Sequence, residues 1–487
     1  PQYQDLTFKI DLPSKNLGKF SVWGIGGLSY VELLSSQQSK KNNLYGYSGR
    51  DTYFKANVGA CGISHTYLLN SSSYTKFNIG VSGQENFILA DRVDTNITPF
   101  KITQEYRNNS STVKYSANFT YNKKFNSRNF INMGVYYDLF YTTFIDSTDN
   151  FDSLGFITLR DYKGETSLGR AFIQWQHKFN DKLTLNTGFS YQYFLLNQSQ
   201  SPEPRLGLKY EINKKQSLSF GAGMHSQVQP LYLYFATSNT SQGNIATNKN
   251  LDFTRAIHGV LAYDVNIANS VRIKTEVYYQ YMYGVPVRSR KDYFSSINLG
   301  ADFDSPNVDS LVSNGTGENY GIELTIEKFY SRGYYFLITG SLFESKYTGS
   351  DKVIRNTAYN GNYVFNVLGG KEFKIKEKHI IALDVKLTYA GGKRYVPIDL
   401  AASIAYGDER RDGTKAYEMQ YPEYFRMDVK PSYKLNTKRF THEISVDIQN
   451  ITQHDNVFQQ IYDLNTQSIK TDYQLKFFII PQYKLTF

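Results

Sequence analysis

What this chain lacks narrows its identity first. Among 487 residues there is one cysteine, Cys61, so neither an internal disulfide framework nor a cysteine metal cluster can be built from it. No run approaches the roughly 18 to 20 consecutive apolar residues of a membrane helix, which excludes a helical membrane protein. No 3.6-residue periodicity of useful length appears either. The formal charge is +10 and the pI is 9.1. Lys and Arg are nevertheless scattered singly through strands and turns, without the basic run interleaved with stacking rings that marks a nucleic-acid partner. The seven histidines (His65, His177, His225, His258, His379, His442 and His454) include no HExxH and no other close His/carboxylate spacing. His442 alternates with apolar neighbours near a turn and reads as an interfacial ring. GIGG at Gly24 to Gly27 lies inside a strand pattern with no Lys-Ser/Thr after it, so it is not a phosphate loop. No Ser/His pair stands out as nucleophile and base. The residues call for neither catalysis nor a cofactor. Residue 1 is Pro, with no Met or signal segment before it, so the chain is expected to be a mature or truncated piece.

Rings and alternation are present instead. The chain holds 42 Tyr and 33 Phe but only 2 Trp, with a mean hydropathy of −0.47. Such an average conceals membrane strands, because only half of each strand is apolar. In 182–196, Leu183, Leu185, Phe189, Tyr191 and Tyr193 fall on one face, against Thr184, Asn186, Gly188, Ser190 and Gln192. In 271–285, Val271, Ile273, Val277, Tyr279 and Tyr281 oppose Arg272, Lys274, Glu276 and Gln280. The last stretch, YQLKFFIIPQYKLTF (473–487), alternates to the terminal Phe487. Charges on the second face would be costly in a dry core and suit a wet lumen. Nineteen strands are predicted, from 5–12 and 20–34 to 439–451 and 473–486. Among them are 112–125, 165–179, 203–213 and 217–232.

The connections sort by length. Short turns of Asn, Asp, Gly, Ser and Lys are expected at 13–19, 70–73, 126–128, 180–181, 214–216, 268–269, 330–333, 374–378 and 436–438. Longer polar connections are expected at 35–49, 92–111, 147–164, 233–250, 286–317, 349–358, 391–423 and 452–472, with one short exception at 199–202. Tight turns at one end and long loops at the other are the pattern of an outer-membrane barrel. The fold class expected is therefore all-β: a transmembrane, antiparallel, up-and-down β-barrel forming one domain over 1–487. By loop parity the first and last strands both run inward. Pro1 is then expected at the outer rim, 473–486 should pair with 440–451, and no regular ladder should join it to 5–12.

Particular segments resemble a known family. PQYQDLTFKIDLPSKNLGKFSVWGIGG (1–27), GENYGIELTIEKF (317–329), GGKRYVPIDL (391–400), YPEYFRMDVKPSYKLN (421–436) and VDIQNITQHDNVF (446–458) are similar to TonB-dependent receptors of Bacteroidetes type. The resemblance implies about nineteen strands of a 22-stranded barrel, with an N-terminal plug and the first strands absent from this chain. It also implies import of a scarce nutrient: a siderophore, cobalamin, another metal complex or an oligosaccharide. Passive porin, or outer-membrane enzyme or adhesin acting through long loops, are the alternative readings. Expected partners are outer-membrane lipid, the outer-membrane assembly machinery, a small-molecule ligand, and TonB through the missing N-terminal region. The terminal Phe487 resembles the outer-membrane insertion signal. Binding is expected in the loop 391–423, where Lys393, Arg394, Tyr395, Arg410, Arg411 and Tyr417, with Tyr406, could engage an anionic or ring-bearing ligand.

Overall fold

The computed structural model describes residues 2–37, 49–94, 99–150, 155–240, 243–300, 307–464 and 466–487. Pro1 and parts of six expected long connections lie outside the described residues. Nineteen long strands follow in sequence: β1 (Gln2–Ser14), β2 (Gly18–Leu34), β3 (Arg50–Asn70), β4 (Ser73–Asp94), β5 (Lys101–Lys124) and β6 (Asn129–Asn150). Next come β7 (Gly155–Lys178), β8 (Leu183–Phe194), β9 (Ser199–Asn213), β10 (Gln216–Gln227), β11 (Thr254–Ala268), β12 (Val271–Arg288) and β13 (Leu311–Ser331). The wall ends with β14 (Tyr334–Thr348), β15 (Tyr363–Ile375), β16 (His379–Ala390), β17 (Tyr424–Asn436), β18 (Thr441–Gln449) and β19 (Phe478–Thr486). Each pairs antiparallel with the next, as an up-and-down barrel wall requires. A short strand, Ile354–Asn356, adds to the outer end of β14 and completes a 20-stranded sheet.

The period-2 pattern explains why these segments became strands, and the register carries it from strand to strand. Phe189 on β8 stands beside Ile173 of β7 and Pro204 of β9, and Phe189 and Ile173 are exposed on the outer wall. The other face of the same strands turns to the lumen, where Gln176 donates to Asn186 at 3.1 Å. Many charges on that face occur as ion pairs. Arg170 meets Asp138 at 2.8 Å, Lys274 meets Glu276 at 2.7 Å, and Arg272 contacts Asp264. The lumen is therefore a polar, wet surface on which many charges are matched.

Four expectations are corrected in detail. The segments 92–111 and 147–164, expected to be loops, are mostly strand, because β5 and β7 each run 24 residues. A membrane crossing needs only about 9–11 residues, so these strands continue beyond the bilayer. No lipid covers their outer face there and their inner face carries mostly polar, paired side chains, so the apolar alternation vanishes from the sequence. Polar side chains brace this upper ladder: Arg50 Nε donates to Glu105 at 2.6 Å, and Arg107 donates to the Ala90 carbonyl at 2.9 Å. The expected strand 217–232 stops at Gln227, and Leu231–Tyr234 makes one helical turn. The expected short connection at 199–202 lies inside β9, and the turn falls instead at 195–198, where Gln198 has φ 60°. The last strand begins at Phe478, not Tyr473. Tyr473 closes an outer hairpin, Val457–Asp463 with Ser468–Tyr473.

The closing strand pairs with β18 from Thr441↔Thr486 to Gln449↔Phe478. Among the described residues β1 pairs only with β2, and no ladder joins β1 to β19, as the parity argument required.

Several cross-strand pairs set a ring against a glycine. Tyr278 faces Gly321, and Trp23 faces Gly62. A Cβ on Gly321 would lie 2.6 Å from the Leu342 carbonyl oxygen and 2.8 Å from Tyr278 Oη. Gly321→Val is expected to destabilise the barrel by about 1–3 kcal/mol through overpacking. Gly26→Ala, where the nearest atom to a Cβ is 3.7 Å away, should cost nothing. The temperature at which the folded gel band is lost checks both; equal behaviour of the two variants would refute the packing argument.

Candidate functional site

The outer connections fold into two knitted structures above the wall. The first is 391–423, where the sequence placed its candidate residues. Gly391 and Gly392 let its two ends enter past neighbouring main chain: a Cβ at either would collide with Gly361 or with Tyr421 and Pro422. A small hairpin follows (Arg394–Tyr395 with Met419–Gln420), then a helix at Leu400–Tyr406. Asp399 caps the helix by accepting from Ala402 N at 2.9 Å, and Gly407 ends it at φ 66°. Ser403 is fully buried and donates to the Asp399 carbonyl at 2.7 Å, while its oxygen accepts from Arg410 N at 2.9 Å.

The predicted site residues divide within this frame. Arg394 donates to the Asn360 carbonyl at 2.9 Å, the Glu418 carbonyl at 3.2 Å and Asn362 Oδ1 at 3.1 Å. Arg411 donates to the Val396 carbonyl at 2.9 Å and the Gln460 carbonyl at 3.3 Å, and pairs with Glu409 at 2.6 Å. Glu409 in turn accepts from Tyr462 N at 2.9 Å. These arginines tie three outer segments together, using the guanidinium fork as a multi-donor brace. Tyr395 stacks on Tyr421, with centroids 4.0 Å apart and planes 7° apart. Tyr417, at φ 59°, sets its ring edge-on to the buried Tyr347, whose hydroxyl donates to the Tyr293 carbonyl at 2.8 Å. Burial pushes the Tyr293 phenol above its usual range. Lys393 is half-buried at the loop entrance, where its carbonyl accepts from Tyr421 N at 3.0 Å. Arg410 is different. Its guanidinium lies 4.9 Å over the exposed ring of Tyr406 and meets no carboxylate among the described residues. A cation over a ring, open to solvent, can take an anionic or aromatic ligand.

The second structure went unrecognised in the sequence. Residues 228–240 and 243–253 fold onto the lumenal side of β6 to β8, burying Leu233, Tyr234, Phe235, Leu251 and Phe253 against Phe144, Leu168 and Phe194. Phe235 stacks on Tyr162 at 3.5 Å and 10°. Asn248, almost fully buried, donates to the Leu233 carbonyl at 2.9 Å and the Val308 carbonyl at 2.7 Å, and accepts from Leu311 N at 2.9 Å. Burial pushes the Tyr234 phenol up. Beside this core, Arg160 Nε reaches both carboxylate oxygens of Asp146 at 2.9 and 3.0 Å, with Tyr106 donating to Asp146 at 3.1 Å and Tyr232 stacked against the guanidinium at 5.4 Å. The only sequence signal was the apolar run LYLYF (231–235), which alternation had assigned partly to a strand.

An apolar-out antiparallel wall with an ion-paired lumen and folded outer loops defines a β-barrel of the bacterial outer membrane. Residues 4–451 match the family described as TonB dependent receptor-like, beta-barrel, and the chain belongs to that family. Receptors of this family bind a small-molecule ligand and TonB. No curated protein matches the sequence. Many solved structures share the fold, among them three receptors. The ferric-catecholate import receptor Fiu from E. coli K12 has a TM-score of 0.68 at 9% identity, covering 99% of this chain and 74% of that one. The ferric yersiniabactin uptake receptor FyuA from Yersinia pestis has 0.66 at 11%, covering 100% and 70%. The ferric preacinetobactin receptor BauA from Acinetobacter baumannii has 0.66 at 10%, covering 99% and 72%.

The buried Arg160–Asp146 pair supplies a test of how the vestibule is held. The two side chains are 2% and 0% exposed. Asp146→Ala, which strands the guanidinium, is expected to cost about 3–5 kcal/mol of local stability, and Asp146→Ala/Arg160→Met should recover most of it. Amide hydrogen exchange of 101–111 and 155–166 checks this. Equal protection in wild type and single variant would show that the pair does not hold the upper strands.

Proposed function

We propose that this chain is the barrel of a TonB-dependent receptor that imports a scarce nutrient as an anionic, ring-bearing metal chelate of siderophore type. The observation that carries the reading is Arg410 over Tyr406, held open to solvent on a loop whose other candidate arginines, Arg394 and Arg411, are engaged in bracing it. Three structurally similar barrels are receptors for ferric chelates by their descriptions, which supports this class over cobalamin or an oligosaccharide. In this reading Arg410 supplies positive charge and Tyr406 a stacking face. Arg394 and Arg411 fix the distance between them and the remaining wall. A plug domain occupying the lumen, pulled through TonB, would release the ligand inward. The exposed Phe487 at the end of β19 would be read by the outer-membrane assembly machinery.

Uptake of a panel of radiolabelled ferric chelates, in cells whose only receptor is the full-length protein, tests the proposal. Arg410→Ala/Tyr406→Ala is expected to weaken binding of the transported chelate about tenfold, as loss of a cation and a ring from one site would. Uptake should cease without TonB. Uptake that persists without TonB would identify a passive pore instead, and identical binding by the variant would remove Arg410 and Tyr406 from the site.

A further inference from the structure

The two ends of the barrel differ in charge far more than the composition suggests. The nine inner turns, counted as the residues between paired strands, contain ten Lys or Arg and two acids, Asp181 and Glu377. Their net charge is +8 of the chain's +10. The outer connections, counted the same way over the sequence, come to −2. The ten inner cations, among them Lys214, Lys215, Lys376, Lys378, Lys438 and Arg439, are all exposed. None of them makes an ion pair among the described residues, whereas lumenal cations such as Arg272, Lys274 and Lys434 are matched to carboxylates.

Directly above these turns the outward face carries a second feature. Four of the seven histidines stand there, each against an aromatic ring. His65 stacks on Phe20 at 4.3 Å and donates from Nε2 to the Leu17 carbonyl at 2.6 Å. His177 sits 5.2 Å from Trp175 and 4.6 Å from Phe179. His379 Nδ1 is 2.7 Å from Tyr433 Oη, and His442 Nδ1 is 2.8 Å from Tyr483 Oη. Amphipathic rings at this level mark the boundary between hydrocarbon and headgroups. The exposed cations therefore lie at or just below the headgroup plane, where long basic side chains reach phosphate while their stems stay in the apolar layer.

We propose that the inner rim binds anionic phospholipid headgroups of the periplasm-facing leaflet, and that it selects them over zwitterionic lipid. A bilayer fits this surface better than an acidic protein does. The cations are spread from the β1–β2 turn (Lys15) to the β17–β18 turn (Lys438, Arg439). A leaflet touches that whole circumference at once, which a single globular partner docked at the mouth cannot do. The inference concerns the lipid-facing wall and is independent of the transported ligand.

The sequence supplies its own reporter. Of the two tryptophans, Trp175 lies in the inner girdle and Trp23 faces the lumen beside Gly62. The full chain in nanodiscs of phosphatidylcholine mixed with phosphatidylglycerol is compared with one lipid or the other brominated. Brominated phosphatidylglycerol is expected to quench Trp175 as a lipid enriched about threefold or more over the bulk mixture, and high salt should abolish the enrichment. Arg128→Gln/Lys182→Gln/Lys214→Gln/Lys215→Gln, which neutralises the turns nearest Trp175, should reduce it to the bulk ratio. Lys249→Gln/Lys352→Gln in the outer connections should leave it unchanged. Equal quenching by the two lipids in wild type overturns the proposal whatever the variants do. Enrichment that survives both salt and the inner-turn substitutions overturns it as well, because the cations would then not be its cause.

Discussion

Inside a bilayer no water reaches the main chain, so every N–H and C=O in the hydrocarbon layer must be satisfied by a neighbouring strand. That requirement makes each strand of this chain pair on its way across, and pairing at a repeat of two divides every strand into a lipid face and a lumen face. The wall follows: Phe189 and Ile173 outward, Gln176 with Asn186 and Arg170 with Asp138 inward. The charges of the lumen are tolerable because they are wet and many are matched to one another. Where glycine faces a large ring, as at Gly321 and Tyr278, the ring occupies the space a side chain would have taken.

Beyond the bilayer the physics changes. Strands such as β5 and β7 continue upward on main-chain hydrogen bonds, and specificity there comes from buried polar braces rather than alternation. Asn248 joins two connections through three hydrogen bonds, and Arg394 and Arg411 each reach carbonyls on separate segments. Such groups are expensive to bury unless fully matched, which is why they hold a unique arrangement once formed. Within the 391–423 loop the braced arginines are engaged, whereas Arg410 and Tyr406 stand open to solvent. The opposite rim uses simpler means: tight turns, unpaired cations and a band of rings that fix its height in the membrane.

What the sequence by itself determined is the wall. All nineteen predicted strands exist, in order, with short turns at one end, because period-2 alternation is imposed locally by lipid on one side and water on the other. The same reading placed β19 beside β18 and away from β1. Only the tertiary structure decided the rest. The upper halves of β5 and β7 carry no apolar alternation, since no lipid covers their outer face and polar braces fill much of the inner one, and they read as loop. Tyr473 continued the alternating pattern of β19 yet belongs to a hairpin with Val457. Residues 231–232, expected to end a strand, instead begin the helical turn Leu231–Tyr234, which fills a core supplied by β6 to β8. Arg394 and Arg411 have the composition of ligand-binding residues and became braces, because their partners at 360, 418, 396 and 460 are brought to them only by the folded loops. Local periodicity reports the solvent on each face of a strand, whereas the destination of a guanidinium depends on which distant carbonyls the closed chain leaves within reach.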